Sequence, residues 1–225
     1  MSDASAAGWI ELKAADGHRL RAYRAPAKGE EIGRLIVAPE IFGINHHIRS
    51  VCDGFAQQGF TTVAPDLFDR AERGVELPYD DAGIQRGIAL KGAVATVDAL
   101  QDVAAALAYL GGDGSAAIVG YCWGGSIAWA AASSLPVRAA IGYYGGEIGK
   151  TLDSAPRVPT LLHFGEQDHA IPLSVAEGVR SRYPWVPVHV YPAGHGFNCD
   201  ERGSFHPESA VLALRRTVGL LRAVF

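Results

Sequence analysis

Gly120-Tyr121-Cys122-Trp123-Gly124-Gly125 follows directly on the apolar run Ala117-Ile118-Val119. The order is Gly-x-nucleophile-x-Gly at a strand end, with cysteine where serine is usual. A chain that turns this sharply from strand into helix brings together the positions two residues either side of the nucleophile, and glycines avoid the collision. The turn also puts the cysteine at a helix N-terminus, where free N–H groups and the helix dipole favour a thiolate and a developing oxyanion. An inert, buried cysteine in a glycine-rich turn would have the same hexamer, so the reading depends on partners.

Two partners follow in order. After the run Thr160 to Phe164 comes Gly165-Glu166-Gln167-Asp168-His169, and after Val188 to Tyr191 comes Pro192-Ala193-Gly194-His195-Gly196-Phe197. Nucleophile, acid and histidine then lie in the chain order expected of a strand-to-helix elbow. Both loops leave strand C-terminal ends, where open α/β sheets gather their sites. Cys122 is expected to attack a carbonyl as the thiolate. His195 takes its proton, or holds the thiolate as imidazolium, and then activates water. Asp168 fixes the His195 tautomer and supports its charge. Glu166 competes for the acid role and His169 for the base. A thiolate also leaves readily, so such a site suits activated esters such as enol esters and enol lactones, whose leaving group is a stabilised enolate.

The elements that must hold these residues are legible as patterns. Trp9 to Lys13 and Arg19 to Arg24 flank Asp16-Gly17 as a hairpin. Leu35 to Ala38 and Phe60 to Ala64 are buried strands, with a helix from His46 to Gln58 between them that stops at Gly59. Ala71 to Gly87 is irregular and charged, and reads as a surface excursion of the kind that faces substrate. Val94, Val97, Leu100, Val103, Leu107 and Leu110 mark a helix. Strand and helix then alternate: Ala116 to Gly120, Gly125 to Ser134, Val137 to Tyr143, Thr160 to Phe164, Ser174 to Arg182, Val188 to Tyr191, and a last helix from Pro207 to Val224. Such alternation predicts one α/β domain over residues 1–225, a mostly parallel central sheet with helices on both faces.

Bulk properties exclude several classes. Of the 225 residues, 48 % are hydrophobic and 20 % charged, as in a globular protein with a core. A net charge of −4 gives no electrostatic case for nucleic acid or an anionic membrane as partner. Apolar runs fall far short of the roughly 20 residues a membrane helix needs. Met1 to Gly8 carries no basic or apolar leader pattern. Cys52, Cys122 and Cys199 are odd in number and widely spaced, which fits free thiols and the cytoplasm. His46-His47 point apart as neighbours and lack a third ligand at metal spacing, so no metal is expected. A small-molecule ester or lactone is the expected partner, acted on by a monomer or small homo-oligomer.

At Pro39-Glu40-Ile41-Phe42-Gly43, the cysteine elbow, Gly142-Tyr143-Tyr144-Gly145, Gly165-Glu166-Gln167-Asp168-His169 and Ala193-Gly194-His195-Gly196-Phe197, the chain resembles the dienelactone hydrolase (carboxymethylenebutenolidase) family. The resemblance runs through nearly the whole chain. It implies an α/β-hydrolase fold, no cofactor, and conversion of dienelactone to maleylacetate through a Cys122–His195–Asp168 triad and a thioester acyl-enzyme. It also implies that Glu40 helps generate the thiolate and that the backbone N–H groups of Ile41 and Trp123 hold the oxyanion. Phe42 and Tyr144, as aromatic residues near these motifs, are expected to wall the pocket. One departure is plain. Dienelactone-cleaving enzymes carry a carboxylate-binding arginine four residues after the catalytic histidine, and here that position is Cys199, with Arg202 three residues further on. A second family arginine corresponds, across a gap, to Arg86. This departure keeps open a broad-specificity esterase or thioesterase on the same triad. A peroxide-reactive cysteine protein, with Cys199 as resolving thiol, is the alternative from another class.

Overall fold

The computed structural model describes residues 6–225. The stretch Met1 to Ser5, part of the N-terminal segment considered above, lies outside the described residues. Eight strands form one sheet: β1 (Gly8–Lys13), β2 (Arg19–Ala25), β3 (Gly33–Ala38), β4 (Phe60–Pro65), β5 (Ala117–Tyr121), β6 (Ala140–Tyr143), β7 (Thr160–Gly165) and β8 (Val188–Tyr191). Their spatial order is β1-β2-β4-β3-β5-β6-β7-β8. The β1–β2 and β2–β4 pairs are antiparallel and the other five parallel. The mostly parallel sheet and the α/β-hydrolase fold are therefore present.

The two-residue period of a strand explains how one sheet serves two cores. In β3, Leu35 and Val37 pack with Ile48, Cys52 and Phe55 of α1 (His46–Gln57) and with Ala213 and Leu221 of α6 (Pro207–Val224). The alternate residues Ile36 and Ala38 pack with Val103 and Leu107 of α3 (Thr96–Tyr109) and with Ile127 and Ala128 of α4 (Trp123–Ser134). β5 repeats the division, with Val119 on the first side and Ile118 on the second. Cys52 is wholly buried in this packing, and burial pushes its thiol up to about 12, so it behaves as a small apolar side chain. Among the described residues no helix is long and apolar enough to cross a membrane.

Two sequence expectations change here. The excursion after β4 opens on a 3-10 turn at Leu67–Arg70 and is irregular, as expected, only as far as Asp80; from there it is a regular helix, α2 (Asp81–Gly92), capped by the Asp80 carboxylate on the Gly83 N–H. Gly83 and Gly87 lie four apart on one face, where a Cβ would fall 2.0 Å from the carbonyl oxygens of Pro78 and Ile41 respectively. Close packing, rather than helix breaking, is what these glycines serve. In α3 the helical period holds, but Val97 is 62 % exposed. The buried face instead carries Asp102, whose two oxygens each accept from Arg70 at 2.8 Å.

Candidate active site

The turn between β5 and α4 is as tight as its glycines suggest. Cys122 has φ 53° and ψ −111°, a left-handed conformation that costs a side-chain-bearing residue about 1–3 kcal/mol. Its neighbours hold it there: the Cys122 N–H donates to Tyr143 O at 3.0 Å and Gly124 N–H to Pro39 O at 3.0 Å. A Cβ at Gly120 would lie 1.9 Å from Gly124 O, and one at Gly124 2.1 Å from Ala38 O. Only glycine permits this crossing of β3, β5 and α4.

The loops after β7 and β8 continue to pair beyond the sheet, Glu166 N–H on Tyr191 O and Gln167 N–H on Ala193 O. That pairing brings Asp168 beside His195. Asp168 is buried; one carboxylate oxygen accepts from the Ala170 and Ile171 N–H groups at 2.9 and 3.0 Å, which leaves the other, 2.8 Å away, for His195 Nδ1. His195 Nε2 lies 3.2 Å from Cys122 Sγ. Burial alone would lower the His195 pKa. The hydrogen bonds and charges of Asp168 and Cys122 outweigh it and raise the group to about 10. Nε2 faces the sulfur, so a proton on it is presented to Cys122. Glu166 and His169, the competing residues, are exposed.

Glu40 is fully buried in the loop after β3, beside the elbow. Its carboxylate accepts from Tyr79 Oη at 3.2 Å and pairs with Arg202 Nη1 at 3.3 Å; Cys122 Sγ is taken by His195. The Arg202 guanidinium lies 5.5 and 5.8 Å from the ring centroids of Phe42 and Tyr79, which pack against each other at 4.4 Å. Arg202 thus reaches the site despite its displacement in sequence. Its arrival depends on the backbone folding back after His195, which residue spacing does not reveal.

A cavity of about 270 Å³ opens over Cys122 and His195, walled by Ile41, Phe42, Ile84, Ile88 and Ile171, with Arg202 and Lys91 as its cations. Trp123, the first residue of α4, also lines it, and the N–H at a first helical position has no acceptor within the helix. Tyr144, expected to wall the pocket, is instead fully buried behind His195, ring centroids 5.1 Å apart, and does not line the cavity; it has φ 39° and a buried hydroxyl with no hydrogen-bond partner among the described residues. Arg86 is misplaced as well. It lies half-exposed on α2, paired with Glu72, and does not line the cavity; α2 turns Lys91 inward instead, where it meets Glu147 at 2.8 Å.

Ligating atoms of His47, Cys199 and Asp200 lie within 4.8 Å of one another, a grouping of residues distant in sequence that local spacing could not show. Asp200 accepts from His47 Nδ1 at 2.9 Å, and Cys199 lies beside Tyr79, so these side chains are already engaged with protein partners apart from His47 Nε2. A second cavity of about 370 Å³ between α1 and α6 is lined by Val51, Phe55, Val211 and Leu214, away from Cys122 and His195.

Comparison with known proteins agrees with this fold. The model of the dienelactone hydrolase family matches residues 20–225. A carboxymethylenebutenolidase of Pseudomonas putida is 33 % identical over 225 residues, covering 94 % of each chain. A putative carboxymethylenebutenolidase of Escherichia coli is 35 % identical, covering 92 % of this chain and 83 % of that one. The crystal structure of a putative dienelactone hydrolase from Klebsiella pneumoniae superposes with a TM-score of 0.80 at 30 % identity, covering 96 % of this chain and 98 % of the other.

Proposed function

The chain belongs to the dienelactone hydrolase family and is a hydrolase, and from there we propose that it opens a small lactone or activated ester that carries a carboxylate, with Cys122 as nucleophile. The carrying observation is the run Asp168–His195–Cys122, at 2.8 and 3.2 Å, on the floor of an apolar cavity that also holds Arg202.

The steps follow from those contacts. The Cys122 thiolate attacks the acyl carbon, and the carbonyl electrons move onto oxygen. The N–H groups of Ile41 and Trp123 receive that oxyanion. As the C–O bond breaks, imidazolium His195 gives its proton to the leaving oxygen, and a thioester to Cys122 remains. In a lactone the leaving group stays tethered to the acyl chain. Neutral His195 then takes a proton from water, the hydroxide attacks the thioester, and the thiolate departs beside a reformed imidazolium. Asp168 keeps the ring oriented throughout.

Arg202 offers a planar pair of donors for a substrate carboxylate. The family resemblance gives Glu40 the task of supporting thiolate formation, which would begin when such a carboxylate competes for Arg202. Phe42 flanks the guanidinium and Tyr144 backs His195. All three cysteines are free, which supports a reducing compartment such as the cytoplasm. The broad-esterase alternative rested on a missing arginine, and Arg202 in the cavity weakens it.

The test is hydrolysis of cis-dienelactone beside p-nitrophenyl acetate by the native enzyme and by Cys122→Ala. Dienelactone turnover that disappears in the variant supports the proposal. Turnover of the simple ester alone moves the function to a broad esterase, and full activity in Cys122→Ala removes the cysteine mechanism.

A further inference from the structure

Beyond His195 the chain makes a short hook. Cys199 N–H donates to Gly196 O at 2.9 Å, Arg202 N–H to Cys199 O at 3.2 Å, and His206 N–H to Phe197 O at 3.0 Å. The hook returns Arg202 onto its own start: at Gly196, with φ 75°, a Cβ would fall 2.4 Å from Arg202 Nη1. The residues that carry the base and the cavity arginine therefore belong to one closed loop.

Those internal bonds shape the hook but do not set where it stands over Glu40. Side chains from outside do. Tyr79 reaches Cys199 and Glu40 together. From the first turn of α1, His47 directs Nδ1 to Asp200 Oδ1 at 2.9 Å, and His46 meets Glu201. His47 is 4 % exposed at its side chain while Asp200 is 67 % exposed. A carboxylate so open to water gains little stability from one histidine. Moreover, His47 Nε2 is buried with no hydrogen-bond partner among the described residues. What the contact does supply is a fixed point two residues from Arg202.

We propose that His47, through Asp200, is a positioning residue for Arg202, and that it sets the enzyme's preference for substrates bearing a carboxylate. The inference rests on the proposed role of Arg202 as the carboxylate-binding group. A guanidinium that must meet both oxygens of a carboxylate tolerates little displacement of its backbone, and errors of an ångström carry large kinetic costs.

The experiment compares para-carboxyphenyl acetate with its methyl ester, two acetates of similar leaving group that differ in one negative charge. kcat and KM are measured for the native enzyme, His47→Ala, His47→Asn, Asp200→Asn and Arg202→Ala. Removing a positioning contact is expected to lower the ratio of kcat/KM for the charged over the uncharged ester about tenfold in His47→Ala, through KM, with kcat on the uncharged ester within about twofold. Asp200, being exposed, can be replaced with little risk to folding, and Asp200→Asn should show the same direction. His47→Asn, whose amide nitrogen stands near the place of Nδ1, should restore much of the ratio. Equal losses on both esters, or a ratio that stays native in His47→Ala and Asp200→Asn while it falls in Arg202→Ala, overturn the positioning role alone. A ratio unchanged in Arg202→Ala overturns the carboxylate reading of the site, and this inference with it.

Discussion

Arg202 Nη1 lies 3.3 Å from Glu40 Oε1 across 162 residues of chain, and the carboxylate it meets has no exposed surface. In Arg202→Ala that carboxylate keeps, among the described residues, only the Tyr79 hydroxyl. Breaking a buried pair from one side costs about 3–5 kcal/mol, and the 17 % exposure of Arg202 argues for the lower end, about 3 kcal/mol. Urea denaturation should show that loss in Arg202→Ala and a smaller one in the double variant with Glu40→Gln, since the uncompensated charge is then gone. A loss in the single variant below about 1 kcal/mol would mean that water reaches Glu40 once the arginine is removed.

His195 gives the reaction its alkaline limit. Its pKa rises to about 10 because the Asp168 and Cys122 contacts outweigh the lowering caused by burial. The imidazolium needed to protonate the leaving group should persist through neutral pH, and kcat/KM should fall as pH rises through about 10. That limb belongs to the coupled cysteine–histidine pair rather than to one ring. In Asp168→Asn a raising contact is lost while burial remains, so the limb should move to lower pH. The sign for stability is the same: the charged ring contributes fully below its unfolded pKa of about 6.5, and that contribution fades as pH rises through about 10. A pH–rate profile of both proteins checks the shift; an unmoved limb would remove Asp168 from the proton path.

What the sequence made legible has a common physical origin. The elbow is readable because its sterics are local: no side chain fits at Gly120 or Gly124, so the motif announces the geometry. β3 and β5 are readable because burial on both faces leaves a continuous apolar run. α2 was hidden because Gly83 and Gly87 weaken its helical signal, yet tertiary contact rather than propensity decides that segment. Arg202 stands three residues beyond the family position, and its approach to Glu40 follows from a hook that the spacing does not reveal. Arg86 fails for the opposite reason, since position in an alignment does not say which face of a helix a side chain leaves from.

Arg70 and Asp102 test the frame away from the chemistry. Both oxygens of the fully buried Asp102 accept from Arg70, whose side chain is 12 % exposed. Asp102→Ala leaves a guanidinium largely out of water with Asp16 as its remaining close partner. A loss of about 3 kcal/mol is expected in chemical denaturation. Because the pair ties the turn after β4 to α3 and does not line the cavity, kcat/KM per folded molecule should stay native. A comparable fall in kcat/KM would show that this turn also sets the position of α2.

Gly87 sets two forces against each other. In an isolated helix, replacing glycine by alanine would stabilise α2 by about 1 kcal/mol. Here the added Cβ would fall 2.0 Å from Ile41 O and 3.1 Å from the Ile41 carbonyl carbon, and both are backbone atoms that cannot rotate away. Either α2 lifts or the Ile41–Phe42 peptide tilts and strains the adjoining peptide that carries the Ile41 N–H. In the proposed mechanism the N–H of that residue holds the oxyanion, and removal of one such donor typically costs about 100-fold or more in kcat. Partial misalignment should cost less. The Gly87→Ala enzyme is therefore expected to be less stable than the native one and to lose about tenfold in kcat, with a smaller change in KM. Thermal melting and steady-state kinetics on one ester decide it. A more stable, fully active Gly87→Ala would show that helix propensity wins at this contact and that α2 does not hold Ile41 in place.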